Sequence, residues 1–149
     1  MRMVRLSKNF TLEELVFSVT ANNQGINNTP NAEVKAALKR LAVEVLQPIR
    51  DAWGKPIVIS SGYRCPKLNK AVGGVANSQH IYGQAADIKA TTPSENGKLH
   101  ALIKRLVKNG TIKVGQLIWE YGNKTCPKWV HVSLPRTGKP NNQLLYCYS

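Results

Sequence analysis

Apolar residues recur at helical spacing in two long stretches. Val34, Leu38, Leu41, Val45 and Ile49 stand three or four apart and keep one apolar face down to about Trp53. Thr29-Pro30 opens this helix, with a cap, a first-turn proline and Glu33 early, and Gly54-Lys55-Pro56 stops it. Pro48 lies inside the pattern and removes one backbone donor, which predicts a kink near Gln47. Leu99, Leu102, Ile103, Leu106 and Val107 form the second apolar face, opened by a capping box at Thr92-Pro93-Ser94-Glu95 and ended by Gly110. A shorter helix starts at Thr11, with Glu14 completing a capping box and Phe10 stapling onto Leu15. It is expected to fade by Thr20, because residues 21–28 are polar and turn-rich and read as a loop bordering the site.

Between these helices the pattern turns to β-branched and alternating residues. Ile57-Val58-Ile59-Ser60-Ser61 predicts a strand that delivers Gly62-Tyr63-Arg64 to its end. Residues 65–79 read as a loop. Residues 85–89 form the next strand, with Ala85 and Asp87 on one face and Ala86 and Ile88 on the other. Residues 114–120 and 129–134 read as two strands joined by a loop over residues 121–128, and residues 144–148 as an edge strand. Strands mixed with segregated helices predict a single α+β domain over residues 1–149, without repeats or linkers.

Composition narrows the class. With 149 residues and 42% apolar content the chain can bury a core. No apolar run approaches the roughly 18 residues of a membrane span. The start, Met1-Arg2-Met3-Val4-Arg5-Leu6, is charged like a signal peptide but no apolar stretch follows it. The expectation is a monomer made in the cytoplasm that reaches its target by another route. The net charge of +13 draws the protein to polyanions: envelope polymer, teichoic acid or nucleic acid. The basic residues are spread along the chain, which disfavours a dedicated nucleic-acid arm. Cys65, Cys126 and Cys147 contain no C-x-x-C and read as thiols, with one late disulfide as the alternative.

The candidate chemistry gathers around Ser78-Gln79-His80-Ile81-Tyr82-Gly83-Gln84-Ala85-Ala86-Asp87, where two good metal ligands flank small, flexible residues. Gly83, Ala85 and Ala86 are read as small so that turn and strand pass close beneath a metal. Ser61-Gly62-Tyr63-Arg64 upstream and Trp129-Val130-His131-Val132 downstream answer this stretch, as if all three segments converge on one zinc ion and one anionic substrate. His131 alternates with Val130 and Val132 and so faces away from their core side. His100, the third histidine, sits among lysines in the second long helix and reads as a solvated surface residue.

The pattern S-x-H-x-x-G-x-A-x-D, followed about forty residues later by W-x-H-x-S, resembles the zinc D-Ala-D-Ala carboxypeptidase family, peptidase family M15. Similarity to its short bacterial and phage members runs from about Phe10 to Leu134. The resemblance implies a small, mainly antiparallel sheet with helices packed to one side. It also implies His80, Asp87 and His131 as zinc ligands and Arg64 as the group binding the substrate's carboxylate or acyl group. A guanidinium fork suits a peptide carboxylate and can steady an oxyanion. Ser78 is a candidate hydroxyl behind the metal ligands or against substrate.

Members of that family often carry an acid or a histidine two or three residues before the last zinc histidine. Here those positions hold Trp129 and Lys128. The substitute is Glu120: in a hairpin with Glu120 opposite Trp129, Glu120, Trp129 and His131 share a face. Glu120 is then the expected general base and Trp129 a wall of the substrate groove. The alternative is that Glu120 only pairs with a nearby lysine.

The expected function is a zinc peptidase acting on peptidoglycan stem peptides, as a carboxypeptidase or an endopeptidase. Phage lysis or virion delivery would bring it to the cell wall. The competing reading is an inactive zinc-fold module that holds anionic envelope polymer or nucleic acid. Which peptide bond is cut is not legible in the residues.

Overall fold

A computed structural model describes residues 3–148 of the chain. Five strands form one sheet: β1 (Ile57–Ser61), β2 (Ala85–Ala90), β3 (Gln116–Glu120), β4 (Trp129–Ser133) and β5 (Gln143–Cys147). Their order is β1-β2-β4-β3-β5. All neighbours are antiparallel except β3 and β5, which run parallel, so β5 is the expected edge strand. The α+β class and the mainly antiparallel sheet agree with the sequence reading.

One face of the sheet is apolar because alternate residues point to it. Ala86 and Ile88 of β2, Leu117 of β3, and Val130 and Val132 of β4 join the core with Leu38, Leu41, Ile49, Leu99 and Ile103 of the long helices. Those helices are α3 (Ala32–Leu41), α4 (Gln47–Trp53) and α6 (Asn96–Lys108). The other face carries Asp87, His131, Ile118 and Glu120 and lines a cleft. Among the described residues no helix is long and apolar enough to cross a membrane, and no disulfide joins the cysteines.

Near its start the chain follows the predicted cap chemistry. In α1 (Leu12–Val16) the Thr11 side chain accepts from the Glu14 N–H and the Glu14 carboxylate accepts from the Thr11 N–H. The following segment differs from expectation. It forms a second helix, α2 (Val19–Gln24), because Ser18 supplies a new cap and Gly25, at φ 65°, ends it. The 65–79 loop likewise contains a helix, α5 (Pro66–Ala71), started by a first-turn proline. Ala21, Ile26 and Leu68 pack together and fasten α2 to α5 beside the cleft.

The long helix begins two residues later than predicted, capped by Asn31 rather than Thr29. Pro48 is accommodated by a π-helical segment over Ala42–Leu46, in which the Gln47 N–H reaches back five residues to the Ala42 carbonyl. The wider turn makes room for the proline ring without ending the helix. The expected capping box at Thr92 is absent: Pro93–Glu95 is a 3-10 turn, and Glu95 pairs with Lys55 at 3.0 Å. Asn96 does the anchoring instead. Its Oδ1 accepts from the Ala90 N–H at 2.8 Å and its Nδ2 donates to the carbonyls of Pro127 and Lys128.

Gly83 is small for a reason other than the one expected. At φ 71° it turns the chain beneath α3, and a Cβ there would meet the Val34 carbonyl oxygen at 2.8 Å. Helix packing, not approach to a metal, requires this glycine.

His100 also corrects the sequence reading. It is buried, edge-on to Trp119 at 5.0 Å and tilted against Tyr146 at 5.5 Å, beneath the parallel edge strand β5. Burial, helped by Lys104, lowers its pKa to about 4. The unfolded chain takes up this proton near the ordinary value of about 6.5, while the folded protein resists until about 4. The contribution is therefore complete above the upper value and is lost as pH falls between the two. Denaturant titrations should show wild type losing on the order of 2 kcal/mol more than His100→Leu over that interval; parallel pH profiles would refute the assignment.

Candidate active site

His80 is positioned by its backbone and by its ring. It sits in a 3-10 turn, Gln79–Tyr82, opened by the Ser78 side chain, which accepts from the His80 N–H at 3.2 Å. Its Nδ1 lies 2.7 Å from the Gly62 carbonyl oxygen, so Nδ1–H donates and Nε2 is left bare. That Nε2 is 3.4 Å from Asp87 Oδ1. His131, directly opposite Asp87 in the β2–β4 register, brings its Nδ1 to 3.1 Å from the same oxygen. The His80 and His131 rings meet edge to face at 5.2 Å.

The three side chains are buried and their donor atoms lie within 4.8 Å of one another. With Nδ1–H committed to Gly62, a neutral His80 turns a lone pair toward a carboxylate oxygen. That juxtaposition calls for a cation between them. His131 Nε2 is buried without a hydrogen-bond partner, so the protein does not complete this ring's needs either. Two imidazoles and one carboxylate are the donor set of a three-ligand catalytic metal site, and the residues fit one. Burial pushes the Asp87 carboxyl up, yet the hydrogen bond from His131 and the neighbouring His80 ring outweigh it and hold Asp87 well below the usual range.

Glu120 stands where the hairpin register predicted. Glu120 pairs with Trp129 and Ile118 with His131, so Glu120, Trp129 and His131 share the cleft face. Glu120 Oε1 lies 3.9 Å from His131 Nδ1. Among the described residues it forms no ion pair with a lysine. Burial and then the nearby Asp87 raise its pKa, against weaker pulls from His131 and Arg64. The Trp129 indole N–H is aimed toward Glu120 without closing a hydrogen bond of good geometry. Tyr121, the next residue, holds φ 61° and rests its ring on Trp129 at 5.1 Å. Sequence reading missed it, since nothing in the pattern marks a left-handed tyrosine.

Arg64 enters the same cleft. Its N–H donates to the His80 carbonyl at 3.0 Å, which ties the guanidinium-bearing residue to the metal-ligand turn. The side chain forms no ion pair among the described residues, and Nε is buried without a partner. Burial lowers the guanidinium's pKa while Asp87 and Glu120 pull it back up. Buried Asn28 brackets Arg64: its Nδ2 donates to the Tyr63 carbonyl at 3.0 Å and its Oδ1 accepts from the Cys65 N–H at 2.7 Å. The polar 21–28 stretch pointed to the neighbourhood but not to this clamp. Ser78 lines the cleft as well as capping the turn.

The main cleft has a volume of about 590 Å³. A second, of about 400 Å³, lies between α2 and β1 and shares Arg64, Val72, Asp87 and Trp129 with the first. The candidate metal group lines the first cleft, and Asp87 also borders the second. The first cleft is also walled by Gln116 and Arg136, which sequence reading did not single out.

A family model for peptidase M15 matches residues 8–133, nearly the whole of this architecture. The chain belongs to the peptidase M15 family. Over 87 residues it is 39% identical to a zinc D-Ala-D-Ala carboxypeptidase of Streptomyces albus G. That match covers 55% of this chain and 31% of the relative, so the chain spans about a third of that protein's length. In this M15 chain, the buried His-Asp-His group lies within the matched residues.

Gly62 is the residue on which the group's alignment rests. A Cβ there would lie 2.2 Å from the Leu15 carbonyl oxygen, backbone against backbone. Gly62→Ala should therefore cost at least about 2 kcal/mol in urea denaturation and weaken metal binding through the displaced Gly62 carbonyl. A variant with wild-type stability and metal affinity would show that the close approach is not needed.

Proposed function

We propose that this chain is a zinc-dependent peptidase that hydrolyses the stem peptides of bacterial peptidoglycan. The observation that carries the reading is the buried His80–Asp87–His131 group in the main cleft, with Glu120 beside it and Arg64 forming no ion pair among the described residues. The zinc named for the Streptomyces relative suits this donor set. When bound, zinc supplies Lewis acidity to the scissile carbonyl and to the attacking water.

The remaining work falls to the protein. Glu120, 3.9 Å from His131 and raised in pKa, accepts a proton from the attacking water and returns it to the leaving amine. Gly62 and Asp87 hold the two imidazoles in orientation. Arg64 binds a substrate carboxylate or steadies the developing oxyanion. Trp129, supported by Tyr121, forms a groove wall. The second cleft adjoins the first at Asp87, and together they offer more room than one terminal residue needs, which supports endopeptidase action over removal of one terminal residue. The +13 charge supports retention on anionic envelope polymers, as a wall-lysing enzyme requires.

Zinc titrated into metal-free protein should raise Tm by several degrees, since ligand binding to the folded state alone stabilises it. His80→Ala and Asp87→Asn should each abolish the shift. Mass spectrometry should find stem-peptide fragments released by zinc-loaded wild type. In Glu120→Gln, kcat should fall at least about 100-fold with zinc content intact. The acid limb of the wild-type rate profile should lie above the ordinary glutamate range, with activity rising as pH increases through it. A zinc-loaded protein that releases nothing from any peptidoglycan type would leave a binding module instead.

A further inference from the structure

The main cleft contains a cation that the proposed mechanism does not use. Arg136 follows β4, half-buried, on a backbone fixed from both sides. Just before it, the Leu134 N–H donates to the Gln84 carbonyl at 2.8 Å and the Leu134 carbonyl accepts from Gln79 Nε2 at 3.0 Å. Pro135 stiffens the next step, and the Arg136 carbonyl accepts from the Lys139 N–H at 3.3 Å. The side chain lines the cleft and forms no ion pair among the described residues.

Strand register shows which end of the cleft it occupies. His131 lies mid-strand in β4. Trp129, paired with Glu120, lies toward one end. Gln116, whose N–H donates to Ser133 Oγ at 2.9 Å, lies toward the other, where the chain runs on to Arg136. Ser78 lines the same cleft. The metal group therefore separates an end bearing the proton acceptor and an aromatic wall from an end bearing a guanidinium and an amide. Ser78 precedes Gln79, whose side chain donates to the Leu134 carbonyl near that second end. Arg64 lies on a different flank, beside β1.

A half-buried guanidinium has given up part of its hydration, and among the described residues no carboxylate replaces it. A carboxylate in the cleft would, with the two-pronged geometry that arginine favours. Resting on the peptidase reading, we infer that Arg136, with Gln116 and Ser78, forms a second carboxylate subsite, distinct from Arg64, which selects peptides carrying a free acid group on the side of the scissile bond remote from Glu120. A residue whose carboxylate is capped as the carboxamide keeps the shape but loses the charge, and is the disfavoured form.

Matched stem peptides, each with a single carboxylate replaced in turn by carboxamide, test this with the zinc-loaded enzyme. Wild type should prefer the acid form at one position by about tenfold or more in kcat/KM, expressed mainly in KM, because the contact is made equally in ground and transition states. In Arg136→Gln that preference should shrink to within about twofold, with the loss confined to the acid peptide, and Arg136→Lys should restore part of it. Equal loss on both members of every pair, or no preference in wild type, would overturn the subsite. Binding of the same pairs to zinc-loaded Glu120→Gln, with and without Arg136→Gln, is read separately by calorimetry. Discrimination there without hydrolysis by wild type would sink the peptidase reading and keep the subsite; hydrolysis without discrimination would do the reverse.

Discussion

The hydrogen bond between His80 Nδ1 and the Gly62 carbonyl, 2.7 Å long, is the contact on which the site depends. It sets the tautomer of His80 and turns its second nitrogen toward Asp87. It is possible only because Gly62 lies flat against the Leu15 backbone, an approach that any side chain would block. Tyr63, next in sequence, donates its N–H to the Leu15 carbonyl at 2.7 Å, and Arg64 donates to the His80 carbonyl. Three segments distant in sequence, the first helix, the end of β1 and the His80 turn, are thereby locked together through main-chain groups. Main-chain bonds of this kind are rigid, and a metal or a substrate meets a site already in position.

Charge in the cleft follows the same economy. Asp87 is shared by two imidazoles, Glu120 is raised by burial and by Asp87, and among the described residues no carboxylate forms an ion pair with Arg64 or Arg136. Had Glu120 paired with Arg64, the proposed base would be a weaker one and the anchor would be occupied. The sheet prevents this. Glu120 comes from β3 and Arg64 from beyond β1, with β2 and β4 between them. The lateral order of strands keeps acid and cation in one cleft without neutralising each other.

Much of this was legible in the residues. The apolar periods located α3, α4, α6 and all the strands, because burial on one face demands a repeat that only one geometry satisfies. The hairpin pairing of Glu120 with Trp129 was an assumed register, and the β3–β4 ladder has it. What was misread shares a physical cause. His100 looked solvated because its lysine neighbours are in sequence; the aromatic residues that bury it, Trp119 and Tyr146, come from β3 and β5. Residues 21–24 looked like loop because their helix is held by Ser18 and by packing on Leu68, not by propensity. Gly83 was assigned to the metal when it serves α3.

The sequence by itself determined the fold class, the family, the metal-ligand candidates and the face on which Glu120 lies, since these depend on spacing along one chain. Only the tertiary structure decided that Asn28 clamps Arg64, that Gly62 orients His80, that a second cleft adjoins the first at Asp87, and that Arg136 lines the first. Those features are distances between side chains and carbonyls from separate elements, and no local pattern encodes them. The S-x-H-x-x-G-x-A-x-D stretch identifies who the ligands are. Where their lone pairs point is settled by the backbone of a strand and a helix lying outside it.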